Sequence, residues 1–248
     1  MLKNHLKIAI RNLWRTKTFT VLNVMALAIG MAAAALILLW VHSEYTFDRF
    51  YANTDRLYKA YNRDNFDGLK TMWDGTANPL GPTLEKHFPE VERTARYAKG
   101  SLLLSIADHS FNPDGAYADG SFFSLFDLAF IDGDRKNILH SPSGIVITQS
   151  LAKRLFGRED PMGKIITVNN SDNFTVTHVI KDLPDNSHFR EVEYFLPWSY
   201  LEKLELWTPK DSWARGPATT FVLLIKTRIS WLSMLKSDPF IRRMPVKI

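Results

Sequence analysis

The sequence predicts an α+β protein in which an N-terminal amphipathic helix and one transmembrane helix precede a mixed α+β periplasmic domain. Three observations lead to this class. An uncharged apolar run long enough to cross a bilayer lies near the N-terminus, and the residues before it carry basic but no acidic side chains. Beyond the run, short strand and helix patterns mix without a regular βαβ alternation, which is typical of α+β folds.

The apolar run extends from Phe19 to Val41 and predicts a membrane span, with residues 19–43 as the whole transmembrane helix. A helix of this length measures roughly 34 Å, more than the hydrocarbon core of about 30 Å. A cleaved signal peptide is the main alternative, but the alanines at 32–35 lead into Leu-Ile-Leu-Leu-Trp rather than a polar cleavage region. A buried soluble helix is also disfavoured, because the run is apolar on every side.

Residues 1–18 are predicted to form a cytoplasmic amphipathic helix in the headgroup layer, although a merely charged flank is an alternative. The basic side chains before the span are Lys3, Lys7, Arg11, Arg15 and Lys17. Basic residues beside a span favour the cytoplasmic side, which puts the N-terminus inside and the main domain in the periplasm of a bacterium. The rest of the chain has 26 basic and 26 acidic residues, so we expect a lipid bilayer and no nucleic acid among its partners.

Small residues recur every four positions within the run, at Ala26, Gly30 and Ala34. Residues at this spacing share one helix face, and small side chains let a second helix approach closely in lipid. Because the run is rich in alanine, the spacing also arises by chance. The pattern therefore gives a candidate helix-packing face.

The chain from residue 44 to 228 is predicted to form the main domain. Glu44 to Thr54 is an amphipathic exit segment rich in aromatic residues. Helices are expected from Pro79 to His87, as a turn over Ser121–Phe126, after Thr148 until Gly157, and over Trp198–Leu206. Strands are expected over 56–63, 91–98, 101–107, 111–117, 144–148, 164–168, 174–180 and 219–226, with the pair at 164–180 forming a hairpin and 111–117 pairing with 101–107.

No residue pattern in the sequence carries chemistry. Gly157 to Lys164 resembles a phosphate loop, but it has five residues between its glycines and follows a helix, so a turn is predicted. Asp132 and Asp134 lack a third oxygen ligand for calcium, and His178 within a strand indicates a packed or surface histidine. We therefore predict no catalytic, cofactor-binding or metal-binding residue and no enzyme activity.

Several long segments carry a family resemblance. They are NHLKIAIRNLWRTKTFTVLNVMALAIGMAAA, EYTFDRFYANTDRLYKAY, YADGSFFSLFDLAFIDGD, IVITQSLAKRLFGREDPMGKIITVNN and FTVTHVIKDLPDNSHF. In this order they resemble the MacB-like periplasmic core domain of ABC transporter permeases of the FtsX/MacB/LolC type, over residues 2–226. By resemblance, residues 119–126, 148–157, 161–164 and 182–188 are structural signatures of the domain.

The resemblance implies a permease subunit, or the N-terminal part of one, in a bacterial inner membrane. It implies a dimer of permeases and a separate cytoplasmic ABC ATPase, which binds the ATP, so that this chain needs no cofactor. The periplasmic domain would then relay ATP-driven motion to the export or extraction of a substrate. Residues 229–248 depart from the family, which continues into three further spans, and a truncated reading frame or a short subunit would explain the difference. The alternative function is a single-pass periplasmic sensor or adaptor without transport activity.

Overall fold

The computed structural model describes residues 5, 11, 14–48, 51, 53–66, 69–107, 109–204, 211–213, 216–226 and 241–243. The chain forms two compact units that divide between Thr46 and Phe47. The first contains a long apolar helix, and the second contains a large sheet with short helices.

Helix α1 (Lys17–Thr46) is 30 residues long. Within the part of the chain that the structure describes, it is the one helix with the length and composition to cross a membrane. Its apolar side chains are exposed around the whole circumference, as expected of a helix whose solvent is lipid. The helix contains the predicted span and continues past it by one turn.

The second unit contains four short helices and fourteen strands among the described residues. The helices are α2 (Leu80–His87), α3 (Ser121–Leu125), α4 (Gln149–Phe156) and α5 (Trp198–Lys203). The strands are β1 (Leu57–Ala60), β2 (Asn62–Phe66), β3 (Leu69–Trp73), β4 (Val91–Ser101), β5 (Leu104–Ile106), β6 (His109–Phe111), β7 (Asp114–Ala118), β8 (Phe130–Asp132), β9 (Gly144–Thr148), β10 (Ile165–Val168), β11 (Asp172–Ile180), β12 (Tyr194–Pro197), β13 (Thr219–Leu224) and β14 (Ile241–Arg243).

Twelve of these strands form one mixed sheet in the order β14-β1-β13-β4-β7-β12-β9-β11-β10-β5-β6, with β8 pairing to β11. The pairs β7–β12 and β9–β11 are parallel, whereas the other pairs are antiparallel. Strands β2 and β3 form a separate hairpin. This combination confirms the predicted α+β class.

Both faces of the central strands are buried. In β12, for example, Phe195 belongs to one apolar core, whereas Tyr194 and Leu196 belong to the other. The first core is strongly aromatic and centres on Phe122 of α3, whose ring lies 5.0 Å from that of Phe189. Adjacent side chains of a strand point to opposite faces, so unbroken apolar runs such as GIVIT fit strands that are covered on both sides.

Several predicted elements differ from the observed ones. The predicted strand 56–63 is divided into β1 and β2, and the predicted strand 111–117 is divided into β6 and β7. The expected pairing of 111–117 with 101–107 holds for β6 and β5 only, because β7 pairs with β4 and β12 instead. Strands β3, β8, β12 and β14 were not predicted. The last two residues of the predicted helix 198–206 lie outside the described residues.

Candidate functional site

The chain enters the main domain at Asp48, two residues after helix α1 ends. Asp48 is buried and has a left-handed backbone conformation, with φ of 55°. Its N–H donates to the carbonyl of Asn186 at 2.9 Å, and its Oδ1 accepts the N–H of His188 at 2.9 Å. Aspartate is one of the few non-glycine residues that adopt this conformation readily. The residue therefore ends the helix and attaches the chain to the loop at 182–189.

Tyr51 makes the second attachment to the same loop. Its hydroxyl is 2.6 Å from Oγ of Ser187, which also accepts the N–H of Phe189 at 3.0 Å. The Tyr51 ring packs edge-on against Phe126, with 5.0 Å between centroids. Burial raises the pKa of Tyr51 well above its usual value because the buried site disfavours the charged phenolate. The hydroxyl thus stays protonated, and keeps this hydrogen bond, to a higher pH than an exposed tyrosine would.

The loop is anchored at its other end by helix α4. Oδ1 of Asp182 accepts the N–H of Ser150 at 2.9 Å, and Oδ2 accepts the hydroxyl of Ser150 at 2.7 Å. An aspartate at this position satisfies a free N–H of the first helical turn. We call Asp48, Tyr51, Ser150 and residues 182–189 the exit junction. It connects the chain that follows α1 to the aromatic core and to α4.

A cavity of about 220 Å³ adjoins the exit junction and is lined by Tyr51, Phe126, Asp127, Leu128, Ala129, Lys181, Asp182, Leu183 and Pro184. The apolar lining residues Tyr51, Phe126 and Leu128 are buried, whereas the charged lining residues are exposed. The described residues contain no cluster of three or more His, Cys, Asp or Glu side chains that could hold a metal ion.

A second polar network lies in β4 and is centred on Arg96. Its Nε and Nη2 donate to the two carboxylate oxygens of Asp119, each at 2.9 Å, and Nη1 donates to Glu202 at 3.0 Å. The guanidinium also lies over the ring of Trp198, 4.9 Å from its centroid. A cleft of about 400 Å³ borders Arg96. Since both carboxylates already bind the guanidinium, the network crosslinks β4, the start of α3 and α5.

The predicted membrane-flanking residues are only partly described. Arg11, Arg15 and Lys17 are exposed, and Lys3 and Lys7 lie outside the described residues. The predicted packing face at Ala26, Gly30 and Ala34 is exposed, and a Cβ added at Gly30 would meet no atom within 4 Å. These assignments remain predictions.

The rejected motifs have structural roles. Residues 157–164 form the turn between α4 and β10, with φ of 65° at Gly157 and 74° at Gly163, so the turn prediction is confirmed. His178 is buried, and its Nε2 is 2.8 Å from the carbonyl oxygen of Asp134. This contact fixes the loop after β8. His178 is thus a packed histidine, as the sequence indicated.

Asp48 and Arg96 were not identified from the sequence. Each acts through partners that lie far away along the chain, more than 100 residues in the case of Asp48 and His188. Asp48 lies in one of the segments that carry the family resemblance, which was the available signal for it, whereas Arg96 lies in none of them. The structure brings the exit segment, the helix at 121–125, the start of α4 and the loop at 182–188 together in the exit junction and its adjoining core.

A family model for the MacB-like periplasmic core domain matches residues 20–228. The chain therefore belongs to the MacB-like periplasmic core domain family. This family forms part of inner-membrane transporter permeases and is not a class of enzymes. No curated protein sequence matches the chain significantly.

Solved structures share the fold. A domain of a protein described as a permease from Porphyromonas gingivalis is 21% identical, with a TM-score of 0.63 over 76% of this chain and 81% of that one. The periplasmic region of MacB from Actinobacillus actinomycetemcomitans is 16% identical, with a TM-score of 0.55 over 76% and 88%. The extracellular domain of the ABC-type transporter YknZ from Gram-positive bacteria is 14% identical, with a TM-score of 0.52 over 71% and 87%.

Proposed function

We propose that this chain is a permease subunit of an ABC transporter, or the N-terminal part of one. In this proposal its periplasmic domain relays ATP-driven motion of a partner ATPase to the export or extraction of a substrate outside the membrane. ATP is bound and hydrolysed by the partner. Family membership and the apolar helix α1 support this function, and the exit junction supplies a physical route for the motion.

The observation that carries the proposal is the short connection between α1 and the buried core of the domain. Thr46 is the last helical residue, and Asp48 already has both its N–H and its carboxylate bonded to the loop at 182–189. No Gly- or Ser-rich linker, which would absorb motion as a flexible coil, lies between them. A displacement at the end of α1 therefore reaches the loop through two residues of chain.

The loop passes the displacement on in two directions. Ser187 and Phe189 lead into the aromatic core around Phe122, whereas Asp182 leads to the first turn of α4 through Ser150. Cores packed at crystal-like density transmit strain rather than absorb it. The exit junction can thus move the sheet and α4 together when α1 moves.

The same proposal fixes orientation and partners. The five basic residues before the span and the absence of acidic ones favour a cytoplasmic N-terminus and a periplasmic main domain in the inner membrane. The partners are the lipid bilayer, a second permease chain and a cytoplasmic ABC ATPase. Nucleic acid is not among them.

The test is purification of the full chain in mild detergent together with the ABC ATPase expressed in the same cells. We expect a stable complex whose ATP turnover differs from that of the ATPase alone. A Walker-motif lysine variant of the ATPase is the control for turnover by a contaminant. If the chain purifies without any ATPase from cells that produce one, the transport proposal is contradicted, and a sensor or adaptor function is favoured.

A further inference from the structure

The turn after β8 contains an Asp–Gly pair, Asp132–Gly133, whose carboxylate already contacts the next peptide nitrogen. The N–H of Gly133 donates to Oδ1 of Asp132 at 2.8 Å, and Asp132 is exposed. Since Cγ is bonded to Oδ1, the same side-chain rotamer brings Cγ within reach of the Gly133 nitrogen. Glycine has no Cβ to hinder that approach. Such a prepositioned pair of groups reacts faster than a freely rotating one.

The fold requires the glycine of this pair. Gly133 has φ of 103°, in the region that favours glycine. A Cβ added at Gly133 would lie 2.4 Å from Cδ2 of the buried His178. A bulkier residue, which would shield the nitrogen, therefore does not fit here. The reactive pair is a consequence of how the turn packs.

We propose that Asp132 is a site of spontaneous modification to isoaspartate. The Gly133 nitrogen attacks Cγ of the protonated carboxyl group, and an N–Cγ bond forms. The hydroxyl of that group leaves with the proton of the N–H as water, which gives a cyclic imide. Water then adds to the main-chain carbonyl carbon of the imide and breaks its bond to the nitrogen. The main chain afterwards runs through Cγ, and the former main-chain carbonyl becomes a carboxylate, with no net change in atoms.

The modification would change the chain at the end of β8. An isoaspartyl residue adds one carbon to the main chain ahead of Asp134, whose carbonyl oxygen is 2.8 Å from Nε2 of His178. Asp132 is also the last residue of β8 and is paired with Val179 of β11. An added carbon shifts this pairing relative to the turn, so we expect the His178 contact to weaken.

The carboxylates of other Asp–Gly pairs are bound by different groups. The sequence contains five such pairs, and the pair at 67–68 lies outside the described residues. The Asp119 carboxylate accepts three hydrogen bonds from Arg96. The Asp114 carboxylate accepts the hydroxyl of Ser101 at 2.9 Å. Either side chain must lose these bonds before its Cγ can meet the next nitrogen.

Asp74 is the intermediate case. Its carboxylate lies 3.3 Å from Nζ of Lys59, and its side chain is 69% exposed. An ion pair this exposed restrains a side chain only weakly. We therefore expect Asp74 to isomerise more slowly than Asp132 and faster than Asp119.

The test is ageing of the full chain in lipid nanodiscs at neutral pH and physiological temperature. Proteolytic peptides are analysed by electron-transfer fragmentation, which gives different fragment ions for aspartyl and isoaspartyl residues. We expect isoaspartate at Asp132 to accumulate roughly tenfold or more faster than at Asp119, because the hydrogen bonds of the Asp119 carboxylate must break first. The control is the same chain aged in urea, where the two sites should react at similar rates.

Two variants check the chemistry at this position. Asp132→Glu keeps the charge but needs a six-membered ring for the same attack, so isomerisation there should be abolished. Asp132→Asn cyclises with loss of ammonia, and the change from amide to acid is measured as a mass increase. Asn137 is the matched control, because it is an exposed asparagine of the same turn that is followed by isoleucine. We expect position 132 to lose its amide faster than Asn137 does.

Equal rates at Asp132 and Asp119 in the folded chain would overturn the proposal. So would the absence of isoaspartate at Asp132 from a folded sample when the urea sample contains it. The comparison of the two sites uses the wild-type protein, so it decides even if a variant does not fold. The experiment needs neither ATP nor an ATPase, and its outcome leaves the proposed transport function unaffected.

Discussion

Replacing Asp119 with Asn should destabilise the main domain strongly through the loss of one charge. The Asp119 carboxylate accepts three hydrogen bonds from Arg96, from Nε and Nη2 at 2.9 Å each and from the backbone N–H at 2.8 Å. The side chains of Arg96 and Asp119 are only 14% and 25% exposed. The substitution turns one acceptor oxygen into a donor that faces the guanidinium, while Glu202 remains bound.

The magnitude lies between two limits. Removing one partner of a fully buried ion pair costs about 3–5 kcal/mol, and an exposed pair contributes about 0–1 kcal/mol. Since this pair is mostly but not fully buried, and since Glu202 compensates part of the charge of Arg96, we expect a loss of about 2–3 kcal/mol in the free energy of unfolding. For a domain of this size that corresponds to a fall in Tm of roughly 5–10 °C.

The matched control is Glu191→Gln, which removes the same charge from the Lys99–Glu191 pair, where the side chains are 50% and 55% exposed. We expect a much smaller loss of stability there, because water and salt screen an exposed pair. Both variants are measured by thermal and urea unfolding of the fragment 47–247, which includes β14, once a single cooperative transition has been shown for the wild-type fragment. If Asp119→Asn shifts the Tm no more than Glu191→Gln does, Arg96 does not crosslink the domain as described.

Three further predictions concern orientation, association and pH. Alkaline phosphatase fused after Lys226 should be active, and a fluorescent protein fused at the same site should not fluoresce. This follows because the basic flank keeps the N-terminus in the cytoplasm and so places Lys226 on the other side of the membrane. The reverse pattern contradicts the orientation. Chemical crosslinking in membranes should give a dimer that Gly30→Leu abolishes, whereas Ala32→Leu, on the opposite helix face, preserves it; a monomeric wild-type chain contradicts the packing face. Burial raises the pKa of Tyr51, Tyr97 and Tyr194 and raises the pKa of Tyr117 from 10.0 to about 12. Because the folded state favours the protonated phenols, their contribution to stability is complete below pH 10 and is lost as the pH rises toward about 12. Tyrosinate absorbance should therefore rise together with the loss of circular dichroism, and full ionisation near pH 10 in a folded domain would contradict the burial.

The sequence predicted the elements whose signals are local. The hairpin of β10 and β11, the buried strand β9 and helix α4 were all identified, because the apolar spacing, the polar turn and the glycine that ends the helix lie within a few positions of one another. Strand β12 was missed since its four residues, Tyr194–Pro197, precede a helix and contain a proline. Its pairing with β7 and β9 depends on residues far away in the chain.

The exit junction shows the same division between local and distant causes. The aromatic exit segment was recognised from its composition, and residues 182–188 were identified as a structural signature by the family resemblance. That Asp48 bonds to His188 could not be predicted, because the two residues are 140 positions apart in the chain. The charge asymmetry before the span is a property of composition alone and remains the basis for the predicted orientation.

The most direct test of the relay is an ATP-dependent signal from the exit junction. The chain has no cysteine, so a single Asp185→Cys variant can carry a fluorophore or spin label on the exposed loop. In nanodiscs that contain the full chain and its ATPase, addition of ATP should change the label's signal, and Asp48→Gly should reduce that change. A label that gives the same signal with and without ATP, while the ATPase in the same nanodiscs is active, would contradict transmission through this junction.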